Sequence, residues 1–225
     1  MKYRISGTAM PSLDVRLGKG EAVVTERGGM AWYRGQVDMK TNMKGGIMGG
    51  LGRALSGESV FMTTYTAQSD PAVITFTPEA PGNIVALELA AGQTIIAQRD
   101  AFMVAQDGVQ LAIHFQRRLG AGLFGGEGFI LQKVTGPGMA FFEIAGEVVE
   151  VELQGGESMR VDPGHIGMFE ATVTHDIETV KGVGNVLFGG EGLFLARLTG
   201  PGKIWLQSMP LNNLIAKIAS RLPSS

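Results

Sequence analysis

The chain has 225 residues, a formal charge of −2, 44% hydrophobic and 18% charged residues, and no cysteine. A chain of this size buries about 70% of its unfolded surface and so needs neither a disulfide nor a structural metal; without cysteine, disulfide and thiolate chemistry are excluded outright. Glycine, at 34 residues, is about twice as frequent as usual, and in so apolar a chain the excess fits tight turns between short buried strands rather than disorder.

Met1-Lys-Tyr-Arg opens the sequence without the apolar stretch of ~7–15 residues of a secretion signal. No stretch reaches the ~18 apolar residues of a membrane-spanning helix. A single soluble domain over 1–225 is expected, cytoplasmic and at most peripheral to a membrane. Charge is uneven: residues 1–57 hold nine Lys/Arg against four Asp/Glu, and the remainder ten against seventeen. A basic N-terminal face would meet an acidic partner, a phosphate-bearing surface or the acidic part of a neighbouring subunit; scattered solvated charge is the plain alternative.

In chain order, Leu13-Asp-Val-Arg-Leu17 alternates apolar and polar residues at the period of a half-buried strand and is followed by Gly20. The pattern returns as Val85-Ala-Leu-Glu-Leu89 before Gly92 and Val149-Glu-Val-Glu-Leu153 before Gly156. In the last of these, Val149, Val151 and Leu153 are expected to face inward and Glu150 and Glu152 outward.

Lys40 to Ser56 carries Lys40, Lys44 and Arg53 with no acid, and Ile47, Met48, Leu51 and Leu55 at helical spacing among five glycines. Each interior Gly costs a helix about 1 kcal/mol. The segment reads as a poor isolated helix that orders on a membrane surface or protein partner, or packs its apolar face on its own core. These seven side chains are the candidate binding residues.

Ser56-Gly-Glu-Ser-Val-Phe-Met62 then aligns with a near-duplicate pair, Leu123 to Gly138 and Leu187 to Gly202, in which eleven of sixteen positions are identical at an offset of 64. Such self-similarity marks repeated architecture and implies three units of about 11–80, 81–145 and 146–208. Glu58, Glu127 and Glu191 fall at equivalent places. Brought together, three carboxylates would raise one another's pKa and attract a cation; held apart, each accepts N–H bonds in its own Gly-rich turn, the structural role expected of repeat positions.

Gly136-Pro-Gly138, Gly200-Pro-Gly202 and Asp162-Pro-Gly164 read as type II turns. Turn signals about every ten residues, with apolar runs such as Phe129 to Val134 between them, favour a sandwich or barrel over parallel α/β. Leu211, Leu214, Ile215, Ile218, Ala219 and Leu222 share one face of a helix over about 210–222, which covers a core edge or docks on another subunit. The fold class is thus all-β, double-stranded β-helix or β-sandwich-like, with three pseudo-symmetric repeats and a short C-terminal helix.

Lys44-Gly-Gly-Ile-Met-Gly-Gly-Leu-Gly-Arg-Ala-Leu-Ser-Gly-Glu-Ser59, followed by the two Leu-Phe-Gly-Gly-Glu-Gly segments, resembles the altered-inheritance-of-mitochondria family, and the resemblance spans essentially the whole chain. That family is widespread in bacteria and archaea, and its fungal member is associated with mitochondrial biogenesis and inner-membrane architecture. The resemblance implies a fold similar to the tryptophan RNA-binding attenuator protein, a double-stranded β-helix with pseudo-threefold repetition. It brings no assigned catalytic residues. Without an Arg-rich, acid-poor transit segment, the chain reads as a bacterial cytoplasmic member.

Catalytic machinery is not apparent. His114, His165 and His175 stand in no His-x-His or His-x-x-x-His pair, so no metal is expected, and His165 beside a Pro-Gly turn reads as a surface turn residue. Gly120-Ala-Gly-Leu-Phe-Gly125 matches G-x-G-x-x-G but precedes a strand where a dinucleotide site needs a helix. Nucleic acid is disfavoured by a pI near 5.9 and scarce exposed aromatics. The expectation is a non-enzymatic, homo-oligomeric binding or scaffold protein without cofactor, contacting a protein partner or membrane surface. The alternative is a small-molecule-binding or enzymatic β-helix with a site between repeats that includes Glu127 or Glu191.

Overall fold

The computed structural model describes residues 1–26, 29–44, 60–117, 128–180, 193–219 and 221. Among them the strands are β1 (Lys2–Ser6), β2 (Ser12–Leu17), β3 (Ala22–Glu26), β4 (Met30–Arg34), β5 (Val37–Lys44), β6 (Val60–Ala67), β7 (Ala72–Phe76), β8 (Gly82–Leu89), β9 (Thr94–Gln98) and β10 (Phe102–Gln106). There follow β11 (Gln110–Arg117), β12 (Phe129–Thr135), β13 (Gly138–Ala145), β14 (Val148–Leu153), β15 (Ser158–Val161), β16 (Ile166–Glu170), β17 (Thr174–Val180), β18 (Leu193–Thr199) and β19 (Gly202–Gln207). The helix α1 (Leu211–Ala219) comes last, and short 3-10 turns at Arg99–Ala101 and Pro163–His165 introduce β10 and β16. The chain is all-β in class.

Four sheets form, in the strand orders β1-β2-β7-β4, β5-β6-β3-β10-β13-β8, β11-β12-β9-β16-β19-β14 and β15-β18-β17. After β1 the strands fall into three runs of six with one pairing scheme. The first and third strands of a run both pair with its sixth (β2 and β4 with β7, β8 and β10 with β13, β14 and β16 with β19). The second and fourth pair with its fifth. The third strand carries a register shift at the corresponding place each time, at Met30/Trp32, Phe102/Val104 and Ile166/Met168.

Three apolar layers lie between the four sheets. Leu13, Val15, Leu17, Ile74 and Phe76 of the first sheet pack on Val23, Val104 and Phe141 of the second. The second sheet's other face meets the third through Val24, Phe102, Phe142, Val134 and Met168. Leu131, Phe169 and Ile204 of the third meet Val161, Ile177 and Leu198 of the fourth. The alternating strands explain the layering, since Leu13/Val15/Leu17, Val85/Leu87/Leu89 and Val151/Leu153 each turn one face to a layer.

The structure differs from the sequence reading at several places. In β14 Val149 is exposed and does not face inward, whereas Glu150 and Glu152 are exposed as expected, Glu150 Oε1 accepting the Trp205 indole N–H at 3.0 Å. Gly136–Pro137 and Gly200–Pro201 are cis, as is Asp70–Pro71, and Gly138 and Gly202 open strands at φ 135° and 142°, so these are not type II turns. Asp162 instead caps a 3-10 turn, its Oδ1 accepting the Gly164 N–H at 2.9 Å. Lys40 to Lys44 belongs to a strand, not a helix, because β5 pairs along its length with β6. On α1, Leu214, Ile215 and Ile218 are exposed, so among the described residues they do not seal a core edge.

Candidate functional site

The basic N-terminal half acquires a geometry on the first sheet. Its inward residues fill the first layer, with the Tyr3 ring edge-on to Phe141 at 5.0 Å. Alternation then sends Lys2, Arg4, Asp14, Arg16, Trp32, Arg34, Val73 and Thr75 to the outer face. Cross-strand register sets them in two rows, Lys2–Arg16–Val73–Arg34 and Arg4–Asp14–Thr75–Trp32. All four cations are exposed, and none is in an ion pair with another described residue, while Asp14 is engaged by the Thr75 hydroxyl, which donates to it at 2.6 Å. The fourth sheet shows the contrast. There Glu178 lies 2.8 Å from Arg160 and 3.1 Å from Arg197, and Asp176 lies 3.6 Å from Arg197. One outer face is self-neutralised; the other sets four cations against the single carboxylate of Asp14 and carries a net positive field beside an exposed indole.

The segment singled out from sequence is only partly in view. Lys40 is exposed on β5, its Nζ 3.2 Å from Asp38, and Lys44 ends the strand opposite Val60. Ile47, Met48, Leu51, Arg53 and Leu55 lie outside the described residues, as do Glu58, Glu127, Glu191 and Gly120 to Gly125.

A cleft at the base of α1 is lined by Glu79, Gln98, Asp100, Glu143, Gln207 and Leu211 among others. Glu143 sits in the apolar strand Phe141-Phe142-Glu143-Ile144, which makes it the unexpected residue there. Its Oε2 accepts the Glu79 N–H at 2.7 Å, yet burial, reinforced by the charges of Glu79 and Asp100, pushes its pKa up to about 7. Gln207 ties the cleft floor together: its amide donates to Gln98 Oε1 at 3.1 Å and Gly164 O at 2.8 Å and accepts the Ala145 N–H at 3.2 Å. The carboxyl can hold a proton near neutrality, but among the described residues no Ser, Thr, Cys, Lys or His lines the cleft with it.

The histidines are structural in setting. His165 is half-buried, not a surface turn residue: its Nδ1 lies 2.8 Å from the Gln207 carbonyl, which can only accept, so that nitrogen carries the proton. His114, exposed at its outer edge, and half-buried His175 pack ring to ring at 5.2 Å beside Phe115, and desolvation where the rings meet lowers the pKa of both, the His175 and Lys133 charges adding to it for His114. Among the described residues no group of three His, Cys, Asp or Glu converges to hold a metal. Nor is any described helix long and apolar enough to cross a membrane.

Across 223 residues the chain is 29% identical to an uncharacterised protein of Streptococcus pyogenes serotype M6, covering 96% of this chain and 88% of that protein. Its fold is similar to the crystal structure of a Streptococcus pyogenes protein solved by structural genomics, with a TM-score of 0.78 at 23% identity over 98% of this chain and 99% of that one. A family model described as mitochondrial biogenesis AIM24 matches residues 3–209, and the chain belongs to that family.

Proposed function

We propose that this protein is a non-enzymatic, homo-oligomeric scaffold that meets an anionic membrane surface through the outer face of its first sheet. The observation carrying this reading is the excess of Lys2, Arg4, Arg16 and Arg34 over the lone Asp14 on one face, beside exposed Trp32. Each cation near an anionic bilayer contributes about 1 kcal/mol, and an exposed indole suits the interfacial zone. Residues 40–56 and the exposed apolar face of α1 would be auxiliary contacts.

Vesicle flotation tests it. Wild type should float with anionic vesicles at low salt, release as salt rises, and ignore zwitterionic vesicles; Lys2→Glu/Arg4→Glu/Arg16→Glu should reduce the bound fraction several-fold. Wild type that never floats would remove the membrane reading. A second reading, small-molecule binding at the cleft of Glu143 and Gln207, draws on the raised carboxyl pKa there. It calls for a ligand whose thermal stabilisation disappears in Glu143→Gln.

A further inference from the structure

Inside the chain, the third strand of each later run adds to the second strand of the run before it. β10 pairs with β3, Ala105 opposite Val24 and Gln106 opposite Val23. β16 pairs with β9 at the matching positions, Phe169 opposite Ile96 and Glu170 opposite Ile95. Among the described residues, two strands of these classes lack the partner: β4, third strand of the first run, and β15, second strand of the last, each ends its sheet.

We infer that copies of this chain join head to tail, the β4 edge of one copy pairing antiparallel with the β15 edge of the next and fusing the fourth sheet of one with the first sheet of the other. The internal register carries over directly and sets Trp32 opposite Val161, Tyr33 opposite Arg160 and Arg34 opposite Met159. The joined order, β17-β18-β15-β4-β7-β2, repeats that of both complete sheets.

Exposure supports the joint. Trp32 and Tyr33 are 54% and 41% exposed, whereas their counterparts Val104, Ala105, Met168 and Phe169 are all at 0%. On the other edge, exposed Arg160 stands where Val24 is at 0% and Ile96 at 2%. A charged residue on a short edge strand ordinarily blocks pairing. Here the charge falls opposite the Tyr33 ring, an attractive cation–π partner. Because each copy offers one edge of each kind, the contact is heterologous and grows beyond a dimer, closing as a ring or extending as a filament according to the rotation per copy.

This interface rests on the homo-oligomeric part of the proposed function. Trp32 and Arg34, on β4, belong to both surfaces, and the joint withdraws them from the membrane face; Lys2, Arg4 and Arg16 lie on the strands farthest from β4, outside the joint, so membrane binding through these three and assembly can fail separately. The chain has no cysteine, which permits cross-linking without background. Opposed pairs in an antiparallel ladder alternate between close and wide, so of Tyr33→Cys/Arg160→Cys and Arg34→Cys/Met159→Cys one is the close kind. Mild oxidation of the full chain should give a ladder of covalent multimers with one of these double variants and none with either cysteine alone. In light scattering, Tyr33→Arg should shift wild-type multimers towards monomer, and adding Arg160→Glu should restore them. A dimer cross-linked through Tyr33→Cys alone would mean symmetric pairing and overturn the proposal. A wild-type multimer that gives no ladder would also overturn this interface while leaving homo-oligomerisation standing; a wild-type monomer at all concentrations would overturn both.

Discussion

Glu143→Gln isolates what burying one carboxyl does to this fold. Burial raises the Glu143 pKa from 4.5 to about 7, so in the folded chain the carboxyl keeps its proton across a pH range in which the unfolded chain has released it. Between those values the folded state binds more protons, and stability falls as pH rises. The shift is about 2.5 units, which at 1.36 kcal/mol per unit is about 3 kcal/mol, absent below the unfolded pKa and fully developed above the folded one. Gln is neutral throughout and can still accept the Glu79 N–H, so it removes the penalty without removing the hydrogen bond. Urea unfolding followed by tryptophan fluorescence, run from about pH 4.5 to about pH 8, should show the variant gaining on wild type by about 3 kcal/mol over that span. A difference that stays flat with pH would show that the carboxyl is solvated and refute the reasoning.

His114 and His175 act in the opposite sense. Desolvation depresses both, so the unfolded chain binds more protons as pH falls through the ordinary histidine value, and stability is lost on the acid side. In a Glu143→Gln background, His114→Gln/His175→Gln should lose less of its urea midpoint between about pH 7.5 and about pH 5.5 than the parent. Gln207→Leu strands the Ala145 N–H, Gln98 Oε1 and the Gly164 carbonyl and should cost about 2–3 kcal/mol by chemical denaturation. Gly200→Ala would place a Cβ 2.6 Å from the Gln154 carbonyl oxygen, forcing backbone to move at about 1–3 kcal/mol, whereas Gly155→Ala meets nothing within 4 Å and should change the melting temperature little.

Local pattern was enough for the alternating strands and most of their apolar faces, though not for Val149 or for the strand that takes in Lys40 to Lys44. Leu13, Val15 and Leu17, or Val85, Leu87 and Leu89, can satisfy a period of two only as extended chain with one face turned from water, and the duplicated stretches 123–138 and 187–202 deliver corresponding strands β12 and β18. The excess of Lys/Arg before residue 58 likewise announced a basic region, though only the register of β1, β2, β7 and β4 gathers Lys2, Arg4, Arg16 and Arg34 onto one surface.

Tertiary structure decided whatever depends on a neighbour far along the chain. β8 reads as half-buried, yet Ile84 and Ala86 pack on one layer while Val85 and Leu87 pack on the next, because its sheet is sandwiched on both sides. The 211–219 helix has the apolar stripe of a core-covering element, yet Leu214, Ile215 and Ile218 stay exposed, since a hydrophobic period states a preference and not which surface meets it. Glu143 drew no attention in a run of apolar residues; its altered acidity comes from the burial and carboxylates that β13 meets after folding. Strand edges are the clearest case. Met30 to Arg34 has a sequence fit for any strand, and that it ends a sheet while Phe102 to Gln106 is paired on both sides follows from long-range hydrogen bonds that no local pattern encodes.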